Sequence, residues 1–245
     1  MERAVATLAS VGTTHPWNVA GIGLDARVAA AFGLRHFMAV AAVTAQDAHG
    51  VRAQVAVPPD VLRAQLSVLR GADAYRIGAL PTPEAVEAVV EHLASVPGVP
   101  AVVDPAFSAT LGGALSSDAA IEAFRERMCA LPVILTPNVP EAERLAGEPV
   151  ADLAGMQRAA RALLERGAAA VLLKGGHLDG ATVVDVLLTP QFARTLSAPR
   201  LRGEMRGTGC VLAAVLACEL ARGRSLDVAV ETARDYVRDR IAAGG

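Results

Sequence analysis

The sequence predicts an α/β fold: a doubly wound, mainly parallel central sheet flanked by helices on both faces. Three observations carry this reading. Short apolar runs alternate with longer amphipathic stretches along the 245 residues. Polar and charged residues gather in the short loops after those runs, where ligands bind in such sheets. No linker, charge block or repeat divides the chain, so one domain over residues 1–245 is expected.

The elements follow in order. Met1-Glu2-Arg3 precedes a short apolar run that leads into Gly12-Thr13-Thr14-His15-Pro16. With an acid beside its Arg, that run reads as a first strand at 5–11 rather than a secretion signal. A helix at 20–32 ends at Gly33, and strand 37–43 follows. Helix 59–70 leads to strand 74–77. Thr82-Pro83, with Glu84 and Glu87 behind, opens a helix at 82–94. Strand 101–103, helix 117–129, strand 133–135 and helix 141–146 continue the rhythm. Helix 153–165 closes at Gly167, and strands at 170–173 and 183–187 come next. An apolar helix at 209–221, stopped by Gly223, and a last helix at 226–241 complete the pattern.

Composition narrows the function. At 53% hydrophobic and 20% charged, with a net charge of −2, the chain is neither disordered nor an electrostatic nucleic-acid binder. Aromatics at 3% exclude a base-stacking platform. No run approaches the roughly 18 apolar residues of a membrane span. The three cysteines, Cys129, Cys210 and Cys218, form no C-x-x-C pair, which is the usage of a reducing, cytoplasmic compartment. No H-x-x-x-H pair, G-x-S-x-G elbow or G-x-x-x-x-G-K-[ST] loop occurs. A compact protein handling a small molecule remains.

Lys174 is the sole lysine among 23 basic residues. It follows an apolar strand and precedes Gly175-Gly176, where a compact ammonium can approach a crowded phosphate as a planar guanidinium cannot. Arg206-Gly207-Thr208-Gly209-Cys210 runs into an apolar helix, an anion-binding arrangement that would also favour a thiolate at Cys210; a glycine turn with a buried cysteine reads the same way. Asn138-Val139-Pro140-Glu141 offers hard oxygen ligands for Mg²⁺, or ordinary helix capping. Gly21-Ile22-Gly23-Leu24-Asp25-Ala26 matches a dinucleotide fingerprint formally, with Asp47 as the ribose acid. A loop separates it from the strand, which that fingerprint does not allow.

Taken together and in order, several segments resemble the ribokinase-like small-molecule kinases, in particular the hydroxymethylpyrimidine/phosphomethylpyrimidine kinases of thiamine biosynthesis. They are Ala20-Gly21-Ile22 with Asp25, Val43-Thr44-Ala45-Gln46 with Gly50-Val51, Val102-Val103-Asp104-Pro105, Leu135-Thr136-Pro137-Asn138-Val139-Pro140-Glu141, Val171-Leu172-Leu173-Lys174-Gly175-Gly176-His177, Ala198-Pro199-Arg200 and Gly207-Thr208-Gly209-Cys210. The resemblance implies ATP- and Mg²⁺-dependent phosphorylation of an aminopyrimidine alcohol, or of its monophosphate, by a homodimer.

By the same resemblance, Gly207, Thr208 and Gly209 form an anion hole. Lys174, with Asn138, serves the ATP phosphates, and Glu141 with Asp104 organises Mg²⁺. Cys210 guides or accepts the hydroxyl proton with a lowered thiol pKa. Ala20, Asp25, Thr44, Gln46, Ala79, Ala106 and Cys210 surround the substrate. The sequence departs from the family at the substrate end. His15-Pro16-Trp17-Asn18-Val19 replaces Asp-Pro-Ser-Gly-Gly, Thr44 a Val, Ala79 a Met, and Glu204-Met205-Arg206 an Asn-Thr-His. The departures leave open a kinase for another small alcohol, such as pyridoxal or pyridoxine, and a non-catalytic pyrimidine-binding paralogue.

Overall fold

The computed structural model describes residues 5–47, 49–201 and 206–244. Met1-Glu2-Arg3 and Glu204-Met205, invoked above, lie outside them. One nine-stranded sheet organises the chain, in the order β3-β2-β1-β4-β5-β6-β7-β8-β9. Its strands are β1 (Thr7–Thr13), β2 (Arg35–Asp47), β3 (Gly50–Ala56), β4 (Ala74–Ile77), β5 (Ala101–Val103), β6 (Ile134–Leu135), β7 (Ala170–Leu173), β8 (Thr182–Leu188) and β9 (Ala193–Pro199). The six from β2 to β7 run parallel. Antiparallel pairs finish both edges: β3 on β2, then β8 on β7 and β9 on β8.

Helices cover both faces, as expected. On one lie α1 (Gly21–Ala31), α7 (Thr208–Ala221) and α8 (Leu226–Ala242), over a core that includes Leu8, Val102, Leu172 and Leu216. On the other lie α2 (Pro59–Ser67), α3 (Pro83–Ala94), α4 (Asp118–Ala123), α5 (Val139–Ala146) and α6 (Leu153–Arg166), around Tyr75, Val103, Leu135 and Leu163. Apart from Arg76 in β4, the central strands β4, β5 and β7 carry no charge, because both of their faces are buried. The expected helix at 117–129 is interrupted: α4 stops at Ala123 and a π-helical turn over Phe124–Met128 follows, closed by Cys129 N–H donating to the Phe124 carbonyl at 3.1 Å.

Two strands escaped the sequence reading. β3 and β9 are antiparallel edge elements with largely exposed or intermediate residues, so neither has an apolar run to announce it. The consequence for the site is positional. The parallel strands β1, β4, β5, β6 and β7 all end on one side of the sheet, and the strand order reverses between β1 and β4. That crevice is where such a sheet receives ligands.

Candidate active site

A cavity of about 720 Å³ lies across these strand ends and the starts of α1, α5 and α7. Its floor is a row of charges delivered by successive strands. Alternation turns Arg76 of β4 toward the α1/α7 face, while its neighbours Tyr75 and Ile77 enter the opposite core. Arg76 is 1% exposed and donates to Asp104 Oδ2 at 3.0 Å; its Nη1 lies 3.5 Å from Asp25 Oδ2. Gly78 makes room for the guanidinium, since a Cβ there would overlap it. Asp104, just beyond β5, takes Lys174 Nζ on its other oxygen at 2.9 Å, with Thr136 Oγ1 at 3.4 Å.

Burial penalises all four charges, and the network answers it. Burial works against the Asp104 carboxylate, but Lys174 and Arg76 hold its pKa below the ordinary range. Burial likewise opposes the Lys174 ammonium, and Asp104 with Glu141 outweighs it, so its pKa is raised. Arg76 stays charged through Asp25, Cys210 and Asp104. Asp25 fares differently: burial lifts it to about 6, and Arg76 and the Ser10 hydroxyl oppose the rise only in part.

Above this floor, Gly207 turns the chain into α7 with φ of +72°, and a Cβ there would strike the Val19 carbonyl. The amides of the helix's first turn then face the cavity with the positive end of its dipole. Lys174 sits against that turn: a Cβ on Gly209 would come 3.0 Å from its Nζ. Asn138 and Glu141 form a complete capping box on α5: Asn138 N–H donates to Glu141 Oε2 at 2.8 Å and Glu141 N–H to Asn138 Oδ1 at 2.9 Å. Burial raises the Glu141 carboxyl to about 7, with Lys174 opposing and Asp104 adding to the rise.

Glu141 Oε1 makes no protein hydrogen bond among the described residues. Nor do three His, Cys, Asp or Glu side chains gather among them to hold a metal alone. A single carboxylate beside a phosphate-sized space suits Mg²⁺, which keeps waters and shares phosphate oxygens.

The opposite end of the cavity is built from loops and from the far end of β2. Gln46 lines it, its amide donating to Thr44 Oγ1 at 2.9 Å, while Thr44 donates to the Thr14 carbonyl at 2.5 Å. Ala20, Ala79 and Ala106 line it as well. His15, buried, has its pKa lowered by burial and by Arg206. Arg206 lies 5.8 Å from the ring centre of exposed Trp17 and donates to the Asp47 carbonyl at 2.7 Å. The two departures at 15–19 and 204–206 therefore meet through Trp17 and Arg206 on one rim. A loop at 107–116, bridged between Ser108 and Ala114, closes the side beside β3, with Val51 N–H donating to the Gly112 carbonyl at 3.3 Å.

Ten of the expected site positions other than Gly207 and Cys210 thus surround one space with them, and three expectations, on Asp25, Thr44 and the Cys210 thiol, need correction. Asp25 is fully buried behind Arg76 and does not line the cavity. Thr44 is 4% exposed and reaches it only through Gln46. Asp104, which lines the cavity, gives its oxygens to Lys174, Thr136 and Arg76 and so anchors cations of the protein beside the place where Glu141 stands. Burial raises the Cys210 thiol, and the relief from Arg76 and the Gly21 amide does not reverse it; the expected lowering at a helix start is absent. Arg76 was missed, although an arginine inside the apolar run Ala74-Tyr75-Arg76-Ile77 is its own signal: a charge in a central strand must have partners.

Comparison with known proteins agrees with this architecture. Residues 16–244 match the family model described as phosphomethylpyrimidine kinase. The hydroxymethylpyrimidine/phosphomethylpyrimidine kinase of Streptomyces coelicolor is 41% identical over 229 residues, 92% of this chain and 84% of the relative. Among solved structures, the phosphomethylpyrimidine kinase from Clostridium difficile superimposes with a TM-score of 0.85 at 28% identity, covering 96% of this chain and 99% of that one. The pyridoxal kinase from Staphylococcus aureus in complex with AMP-PCP and pyridoxal gives 0.87 at 25% identity, covering 97% and 88%.

Proposed function

The chain belongs to the phosphomethylpyrimidine kinase family, and from that membership we propose that it transfers the terminal phosphoryl group of ATP to the hydroxymethyl of 4-amino-5-hydroxymethyl-2-methylpyrimidine, or to its monophosphate, in thiamine biosynthesis or salvage. The observation that carries the reading is the convergence of Lys174, the first turn of α7 and Cys210 at one end of a single cavity. Phosphoryl transfer asks the protein chiefly for positioning and charge stabilisation, which that end supplies.

The substrate oxygen bonds to the γ-phosphorus as the bond to the β,γ-bridging oxygen breaks. ADP leaves with that oxygen, and the hydroxyl proton passes to the thiolate form of Cys210. First-turn amides of α7, entered through Gly207, donate to the transferring group, and Lys174 offsets the charge on the ATP phosphates. Glu141, with Asn138 positioning it, would hold Mg²⁺, which would supply charge neutralisation to the ATP phosphates. Gln46, oriented by Thr44, offers a donor and an acceptor to the aminopyrimidine edge.

A second reading, another small alcohol such as pyridoxal, draws support from Ala79, whose small side chain leaves room in the wall, and from the likeness to a pyridoxal kinase. A homodimer is supported by exposed Val43 and Val55, paired across β2 and β3 at the sheet edge, with exposed Phe37 and Met38 nearby. The reading includes a cytoplasmic location; among the described residues no helix is long and apolar enough to cross a membrane. Product mass spectrometry with Mg-ATP and hydroxymethylpyrimidine, its monophosphate, pyridoxal and pyridoxine tests the assignment. A phosphorylated pyrimidine is expected. Phosphorylation of a B6 vitamer alone moves the substrate, and pyrimidine binding without product makes this a binding protein.

A further inference from the structure

We propose that Arg200, directly after β9, is a positioning residue for the nucleotide: it holds the loop after Lys174 in the form that receives the ATP phosphates. Ala198-Pro199-Arg200 belongs to the resemblance above, yet Arg200 does not line the cavity. Its guanidinium instead takes three carbonyls of one loop. Nε donates to Gly180 at 2.8 Å, Nη1 to Gly176 at 2.9 Å and Nη2 to Leu178. The Arg200 backbone N–H adds a bond to the Ala181 carbonyl at 2.8 Å. Gly176 and His177 line the cavity beside Lys174. One planar fork thus spans the loop from the cavity wall to its return into β8.

The first residues of the loop have other supports. Lys174 N–H donates to the Pro137 carbonyl at 2.8 Å, and its ammonium to Asp104 at 2.9 Å. Gly175 N–H donates to Asp185 Oδ1 at 2.9 Å, and Asp185, buried in β8, takes Arg234 of α8 on Oδ2 at 2.8 Å. A Cβ on Gly175 would strike the Val184 carbonyl, so the chain lies directly on β8 there. Lys174 and Gly175 are therefore fixed without Arg200. Past them the loop makes one turn, Leu178 N–H to the Gly175 carbonyl at 3.0 Å, and the carbonyls of Gly176, Leu178 and Gly180 go to Arg200. Each carbonyl is the negative end of a peptide dipole, which a polyphosphate beside the loop would repel. Bonded to a guanidinium outside the cavity lining, the Gly176 carbonyl is kept off the phosphates. Without Arg200 the loop populates other forms, and ATP affinity falls by the fraction that stays competent.

The proposal rests on the kinase reading for the identity of the ligand. Its test is calorimetric titration of the full chain with Mg-AMP-PCP, beside initial rates at varied Mg-ATP and varied hydroxymethylpyrimidine. The titration needs no alcohol, so a different substrate leaves it intact. Arg200→Ala should weaken AMP-PCP binding and raise KM for ATP about tenfold, with kcat and the KM for the alcohol within about twofold of wild type. Arg200→Lys should fall with it, since one ammonium cannot span three carbonyls. Added guanidinium, below denaturing concentration, should restore nucleotide binding to Arg200→Ala, whereas methylammonium should not. Arg238→Met is the control for a merely structural role. Its Nη1 donates to the Pro199 carbonyl at 2.9 Å, one residue away and off the loop, and its loss should leave ATP affinity unchanged. Unchanged ATP affinity in Arg200→Ala, an equal loss in Arg238→Met, or kcat and both KM values worsening together overturns the proposal and leaves the kinase reading standing. Wild-type protein that binds no AMP-PCP overturns both. If Arg200→Ala does not fold, Arg200→Lys decides by the same measures.

Discussion

The two ends of the cavity are built differently. The end holding Lys174, Asn138, Glu141 and the Gly207 turn sits on strand ends and helix starts, each fixed by backbone hydrogen bonds to its neighbours. Lys174 N–H, for instance, donates to the Pro137 carbonyl at 2.8 Å, and Val211 N–H to that of Gly207 at 2.8 Å. The other end, from His15 to Val19 with Gln46 and the 107–116 loop, is assembled by contacts among loops and the end of β2, distant in sequence, such as Arg206 with Trp17 and with Asp47. The first arrangement keeps a chemistry constant. The second can be re-cut for a new substrate without disturbing the sheet.

The largest expected effect that would break this contrast falls on the rigid end. Gly207→Val places a Cβ against the Val19 carbonyl at a left-handed φ, so the first-turn amides lose their aim. Initial-rate measurements should show kcat lower by about 10²–10³, the scale of losing one preorganised donor. Next comes stability. Arg76→Met strands Asp25 and Asp104, and urea unfolding should register a loss of about 3–5 kcal/mol.

pH sharpens the comparison further. The Glu141 carboxyl, near 7, is protonated below that value and charged above it. The apparent affinity for Mg²⁺ should therefore strengthen as pH rises from 6 to 8, by up to about tenfold, and Glu141→Gln should flatten the dependence. The Cys210 thiol is held above its ordinary range, so its thiolate fraction, and with it kcat, should keep rising into alkaline pH. The smallest effect belongs to the loop end. Thr44→Val removes the hydroxyl that steadies Gln46, and KM for the alcohol should rise about threefold to fivefold with kcat nearly unchanged, as expected for one neutral hydrogen bond.

That division also explains what could be read from the chain. Strands β4, β5 and β7 were legible to the residue, because a central parallel strand is a nearly continuous apolar run, with Arg76 the one charge among the three. Lys174 and the glycine turn were legible because their chemistry is local: one rare residue, one short motif. Edge strand β3 hid because its alternation, Val51, Ala53 and Val55 against Arg52 and Gln54, has no buried face to enforce it. Asp25 misled, since its position beside the substrate loop gave no sign that α1 would turn it inward to Arg76. Arg76 and the Trp17–Arg206 contact depend on pairings 28 or more residues apart in the chain, and spacing alone carries no record of them.

The most direct measurement compares kcat/KM for hydroxymethylpyrimidine with Mg-ATP in wild type, Lys174→Met and Trp17→Ala, each checked for folding by circular dichroism. Loss of the phosphate-end cation should cost about 10² or more, whereas removal of the exposed rim ring should cost less than about tenfold. Equal losses in the two variants, or full activity in Lys174→Met, would contradict the division between a fixed phosphate end and an adjustable substrate end.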